Sequence, residues 1–359
     1  LIMSSRTLKS VVKRIPEYLN ANNILAIIKN ELERTWIQPE KHIELIKKTL
    51  GGYFRRLDTN PIITPNMPGL EGEIGLNING PSLIKVPDWV DNPLGKYYLY
   101  FGHHNDKYIR LAYSDKIGGP YSIYKKGSLH VDDTYIEGHI ASPDVHIRYM
   151  EKEIWMYFHG SVRGTGIYSD QSQVSFLAIS GNGIDFQPQM GQYRQKNILA
   201  PFYLRVFKHK GYYYGIAKNG NRNGILVRSK NGKTQFERGT ELIDGMRHCA
   251  VLLRKMPEEN DVLWVFYSCV NLKPERILFS EIVLNDDWMD WNPTEPITVL
   301  FPEKKWEGSE LRAKVSKYGA TGPTRALIDP AIYEEEDKVF LLYSIKGEQG
   351  IGIAEFIRN

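Results

Sequence analysis

Residues 96–102 read KYYLYFG, a short run of aromatic and branched side chains closed by glycine. The same kind of run returns four times: EIWMYFHG at 153–160, GYYYGIA at 211–217, DVLWVFYS at 261–268 and KVFLLYS at 338–344. Residues of this type favour strands. With Tyr97, Ile154, Tyr212, Val262 and Val339 as anchors, the spacings are 57, 58, 50 and 77 residues. Each run follows an apolar strand (PSLIKV, DVHIRYM, YLRVFKH, CAVLLRK, PAIYEE) and precedes a third (IRLAYSD, VSFLAIS, GILVRSK, RILFSEI, IGIAEF). Repetition of several short strands at this period predicts the blades of a propeller. The fold class is therefore all-β, a five-bladed β-propeller with an N-terminal α-helical extension.

Blades one and two are expected to add a fourth strand, at YSIYK and FQPQ, and the long last gap to hold an insertion around 292–324. Blade five runs out at its third strand. Its outer strand is expected from YFRRLDTNPIITP, around Tyr53–Ile63, which would close the ring by pairing the two ends of the chain. Residues 1–52 read as the helical extension and 53–359 as the propeller. Leu8, Val11, Val12 and Ile15, then Ile24, Ile27, Ile28 and Leu32, have helical spacing. A third helix starts at Pro39 and stops at Gly51-Gly52.

Composition narrows the function classes. Of 359 residues, 42% are hydrophobic, ample for a large core, which excludes a disordered or fibrous chain. Net charge is +4, but residues 1–57 alone carry +6, leaving a near-neutral body at −2. That balance argues against nucleic acid as a partner. The basic N-terminus reads as a solvated helix face, with contact to an anionic surface as the alternative. Cys249 and Cys269 fit neither a disulfide framework nor a zinc spacing and are expected as free thiols. No metal or cofactor is expected. Lys9, Lys13 and Arg14 interrupt any signal-type apolar segment, and no stretch approaches a membrane span of roughly 20 residues. A cytoplasmic location without membrane contact is the expectation. The amphipathic helices must pack on something, and a homodimer through them is one candidate. No phosphate-cradling loop, GxSxG elbow or HExxH appears.

The blade grammar resembles that of glycoside hydrolase families 43, 32, 68 and 117 over roughly residues 55–357. ASPDVHIRYMEKEIWMYFHG at 141–160 is similar to their second-blade motif, LIDPAIYEEEDKVFLLYS at 327–344 to a blade opening, and ISGNGIDFQP at 179–188 to a third-to-fourth strand turn. The resemblance implies acidic residues at the inner ends of the first strands. One carboxyl protonates the leaving oxygen of a glycosidic bond and another activates water or attacks the sugar. A third acid often keeps the donor's proton affinity high.

Asp144 stands where that resemblance places the tuning acid. Two other positions depart from it. Blade one reads INGPSLIKV, with Asn79 and Gly80 where an Asp is usual, and blade three reads LAPFYLRVF, with Ala200 and Phe202 where a Glu is usual. Catalysis would need relocated acids. Asp329 opens blade five with Asp-Pro and is the candidate base or nucleophile; a turn cap is the bland alternative. Glu137, Glu310 and His248 are candidates for the acid. Asn79, His103, His159, Arg205 and Trp306 are candidates for substrate binding, Arg205 for acidic groups and Trp306 for stacking on a sugar. The resulting expectation is a glycosidase-like enzyme acting on a small glycoside or oligosaccharide. A propeller that binds a sugar without cleaving it, or a phosphorylase or cyclase using the same funnel, are the alternatives.

Overall fold

A computed structural model describes residues 39–104, 106–162, 173–189, 197–220, 222–257, 259–270, 272–316 and 322–359. The chain divides into two compact units, Leu1–Tyr53 with Arg358–Asn359, and Phe54–Ile357. In the first, the expected third helix is present as α1, Pro39–Leu50, and it stops before Gly51. The two earlier helices lie outside the described residues.

The second unit is an all-β propeller of five blades, each a sheet of antiparallel strands. After β1 (Gly52–Arg56), blade one comprises β2 (Asn79–Lys85), β3 (Tyr97–Gly102), β4 (Tyr108–Ser114) and β5 (Ser122–His130). Blade two comprises β6 (Ile136–Arg148), β7 (Glu153–Val162) and β8 (Gln173–Ser180), edged by the short β9 (Gln187–Pro188) and β10 (Ala200–Pro201). Blade three holds β11 (Arg205–His209), β12 (Tyr212–Asn219), β13 (Asn223–Ser229) and β14 (Glu237–Asp244). Blade four holds β15 (Met246–Arg254), β16 (Val262–Cys269), β17 (Ile277–Val283) and β18 (Ile297–Leu300). Blade five holds β19 (Leu327–Glu335), β20 (Lys338–Ile345) and β21 (Ile351–Arg358), and β1 supplies its outer strand against β21, as the sequence led us to expect. Outer strands also exist in blades three and four. β14 is polar and mostly exposed and β18 is only four residues long, so neither carries a strong apolar signal, and β18 turns part of the expected insertion into a strand.

Successive side chains of a strand face opposite ways, and here each face meets a neighbouring blade. Tyr98 and Tyr100 pack with Ile154, Met156 and Phe158 of blade two. Tyr97, Leu99 and Phe101 pack with Phe340, Leu342, Ile351 and Ile353 of blade five. A strand buried on both faces reads as an unbroken apolar run, which is why KYYLYFG and its four counterparts stand out. Polar contacts set the blades' spacing. The Tyr100 hydroxyl donates to the Gly183 carbonyl at 2.7 Å, and Tyr157 donates likewise to Gly232 at 3.0 Å. Both glycines end Ser-x-Asn-Gly turns, in which the serine hydroxyl accepts the glycine N–H.

Candidate active site

The first strands of blades one, two and five enter the axis through an irregularity. Register shifts lie between Asn79 and Ser82, Ala141 and Asp144, and Ile328 and Ala331. Within these bulges Gly80, Ser142 and Asp329 have φ of +56, +52 and +50°, and Tyr203, just before β11, has +57°. Bulges re-aim side chains and recur beside functional sites. Here Ser142, Tyr203 and Asp329 converge on one axial cavity of about 10 Å³, lined among the described residues also by Asn79, His104, Ala141, Arg247 and Glu348. A Cβ at Gly80 would lie 3.3 Å from Ser142 Cα and 3.4 Å from its Oγ. An acid at this position in blade one would therefore be strained by the positive φ and would press on Ser142.

The second half of the site comes from turns between second and third strands. The β3–β4 turn brings His104, the β16–β17 turn Glu275 and the β20–β21 turn Glu348. The buried Glu348 carboxylate accepts Asn77 Nδ2 at 2.5 Å and lies 3.1 Å from His104 Nε2. Asn77 Oδ1 in turn accepts the His104 N–H at 3.0 Å and Asn79 Nδ2 at 2.8 Å. Arg110 holds the Asn77 carbonyl at 2.9 Å and is itself paired with Asp106. Burial opposes the charge on Glu348, but His104, Asn77 and Arg247 outweigh it and hold its pKa below the usual range. Burial also opposes an imidazolium at His104, yet Glu348 and Asp329 pull its pKa up.

Asp329 is the counterpart with the opposite bias. Burial first, and the charge of Glu348 second, push its pKa up to about 7, against the pull of His104 and Arg247. Arg247 is clamped from behind: its Nε and Nη2 donate to the two oxygens of buried Glu275 at 2.7 and 2.8 Å, and Nη2 also reaches the Ser316 carbonyl. Tyr203, also on the cavity, meets His159 edge-on and His248 at a tilt, with ring centroids 4.5 and 4.7 Å away, and His248 Nε2 meets Ser142 Oγ at 3.2 Å. Burial pushes the pKa of His139 down to about 4 and those of His159 and His248 well below the ordinary histidine range, with neighbouring histidines and cations adding to the effect. These three imidazoles are neutral. Among the described residues no three His, Cys, Asp or Glu side chains are arranged as metal ligands, and both cysteines are free.

The candidates read from the sequence scatter over several places. Asn79 and Asp329 line the cavity, and His248 borders it through Ser142. His159 stands behind Tyr203. Asp144 lies on the far side of Arg205, whose guanidinium bonds the carbonyls of Pro143 and Cys249. There Asp144 accepts the Val206 N–H and His146 Nε2, both at 2.8 Å, and faces a separate channel of about 640 Å³ lined by the inner strands. Glu137 sits on β6 opposite Ser161 and His103 beside Arg110 and Asp106; neither lines the cavity. Glu310 is exposed and pairs with Lys305, while Trp306 packs over Gly352 of β21. Glu348, Asn77 and Glu275 were passed over. A glutamate between glycines in KGEQG, in the turn after an aromatic strand, is the signal that could have found Glu348.

No protein-family model matches the chain. It is 32% identical over 333 residues to "Uncharacterized protein R118" of Acanthamoeba polyphaga mimivirus, an alignment that spans 82% of this chain and 88% of that protein. The chain belongs to the R118 family. Solved structures extend the likeness of this R118-family chain at the level of fold. A glycoside hydrolase-like protein from Parabacteroides distasonis superposes with a TM-score of 0.56 at 13% identity, covering 85% of this chain and 96% of the other. A GH130 structure, from a family of mannoside phosphorylases that contains hydrolases of β-1,2 mannosidic linkages in Candida mannan, gives 0.55 at 13% identity, covering 85% and 93%. A GH43 β-xylosidase/α-arabinofuranosidase from a compost metagenome gives 0.53 at 12% identity, covering 85% and 96%. The R118-family chain thus shares the five-bladed propeller of these proteins.

Proposed function

We propose that this chain is a glycosidase-like enzyme in which Asp329 is the general acid and Glu348 the ionised carboxylate. One observation carries the reading. Two buried carboxyl groups share the axial cavity, and their surroundings push their proton affinities apart. Such a divided pair is how two like groups take acid and base roles at one pH. Asp329, still protonated near neutrality, donates to the leaving oxygen of the glycosidic bond. Glu348, held by His104 and Asn77, activates water or attacks the anomeric carbon. Asn79 offers an amide to a sugar hydroxyl, and Tyr203 an aromatic face.

The experiment is a panel of aryl glycosides and oligosaccharides, with products identified by mass spectrometry. Asp329→Asn and Glu348→Gln are expected to lower kcat/KM by about 10²–10⁴-fold with the fold retained. Asp329→Asn should spare substrates with a good leaving group, which need little proton donation. Cleavage that is equal in wild type and both variants would refute the assignment. A second reading, binding without cleavage, is favoured by the room available: the axial cavity is close in volume to one water molecule, whereas the separate channel beside Asp144 and Arg205 has about 640 Å³. Calorimetric binding of a glycan that is recovered intact would support it.

A further inference from the structure

We infer that Glu275 is a positioning residue that acts through Arg247: it fixes the guanidinium beside Asp329 and neutralises it there, so that the proposed acid can hold its proton. This rests on the reading of Asp329 as general acid.

Three observations meet at Glu275. It grips Arg247 through two bonds, and both side chains are almost fully buried, at 5 and 6% exposure. Arg247 lines the same cavity as Asp329. The Glu275 carbonyl accepts the N–H of Leu327 at 3.0 Å, which ties the β16–β17 turn to blade five two residues ahead of Asp329. The clamp and the acid are therefore held in one frame.

Charge explains what the clamp does. Glu348, His104 and Arg247 act on Asp329, from the β20–β21 turn, the β3–β4 turn and β15. His104 is engaged by Glu348 and Arg247 by Glu275, so each cation near Asp329 already has an acid of its own. A two-bond arginine–carboxylate contact fixes direction as well as distance. Without Glu275, Arg247 would be a buried cation lacking its partner, and such a charge is costly. The nearest remedy is for Asp329 to lose its proton and pair with it.

The test reads protonation without any substrate. Protein labelled with ¹³C at aspartate side-chain carboxyls is titrated by NMR, and the Asp329 signal is assigned by its loss in Asp329→Asn. Glu275→Gln is expected to move the Asp329 midpoint down by about one to three pH units, the effect of an arginine beside an aspartate. Glu275→Asp should largely restore it. If Glu275→Gln does not fold, the double variant Arg247→Met/Glu275→Met removes cation and counter-charge together, and the midpoint should then stay or rise. A midpoint unchanged in Glu275→Gln, or lowered in the double variant, overturns the inference. A wild type that titrates as expected but cleaves no glycoside would instead overturn the proposed function and leave the clamp standing.

Discussion

Glu307 is fully buried, and its carboxylate accepts five hydrogen bonds: Arg56 Nε at 2.6 Å, Arg56 Nη2, Tyr343 Oη and the N–H groups of Glu303 and Lys304 at 3.0 Å each. Arg56 ends β1, the strand that completes blade five, so this knot fastens the closure of the ring. Glu307→Ala leaves the largely buried Arg56 with Glu303, the Phe301 carbonyl and the Tyr343 phenol as its remaining partners. It also orphans the phenol's O–H and two backbone donors. Breaking a buried ion pair costs about 3–5 kcal/mol. Each orphaned donor alone costs about 1–3 kcal/mol, but these overlap and do not add. We therefore expect a loss of about 4 kcal/mol, a large share of an ordinary domain's stability of about 5–15 kcal/mol. The neighbouring Arg55–Glu355 pair is the control. Arg55 is 61% exposed, and Arg55→Ala should cost no more than about 0.5 kcal/mol. The assay is urea unfolding followed by tryptophan fluorescence at pH 7. In the double variant Arg56→Met/Glu307→Ala the losses should overlap, with a coupling of about 2 kcal/mol or more. A Glu307→Ala loss below about 1 kcal/mol, or losses that simply add, would refute the reasoning.

Tyr100→Phe removes the hydroxyl bond to Gly183 and should cost about 1 kcal/mol by urea unfolding. Gly183→Ala should cost more, because φ is +74° there and the new Cβ would lie 2.9 Å from Tyr100 Oη. His139, His159 and His248 are neutral when folded but titrate near pH 6.5 when unfolded. Below that pH the unfolded chain binds more protons, so the urea midpoint should fall as pH drops from 6.5 to about 5. Asp329 acts in the opposite sense, since the folded chain keeps its proton from about pH 4 up to about 7 and loses stability as pH rises through that window. Asp329→Asn should therefore steepen the fall on acidification and raise stability at pH 8, measured in the same titration.

The aromatic second strands were legible because both of their faces are buried, and so was the closing strand, because blade five lacked a partner. The outer strands of blades three and four were not, since ERGTELID and ITVL are short or half exposed. For the site, Asp-Pro at the start of blade five pointed to Asp329. Asp144 shows the limit of spacing. It and Ser142 are two residues apart on β6, yet the bulge sends Ser142 to the axial cavity and Asp144 to the channel beyond Arg205. His104, Glu275 and Glu348 lie in turns, which carry no periodicity, and only the propeller's geometry brings them to one point.

The most direct measurement is the pH dependence of kcat/KM on a glycoside found by the panel. With Asp329 as acid and Glu348 as carboxylate, the profile should be bell-shaped. Its alkaline limb should fall above about pH 7 as Asp329 loses its proton, and its acid limb should lie below the usual glutamate range. In Asp329→Asn the residual rate should lose the alkaline limb. A wild-type kcat/KM that stays flat or rises between about pH 6 and 9 would contradict the assignment.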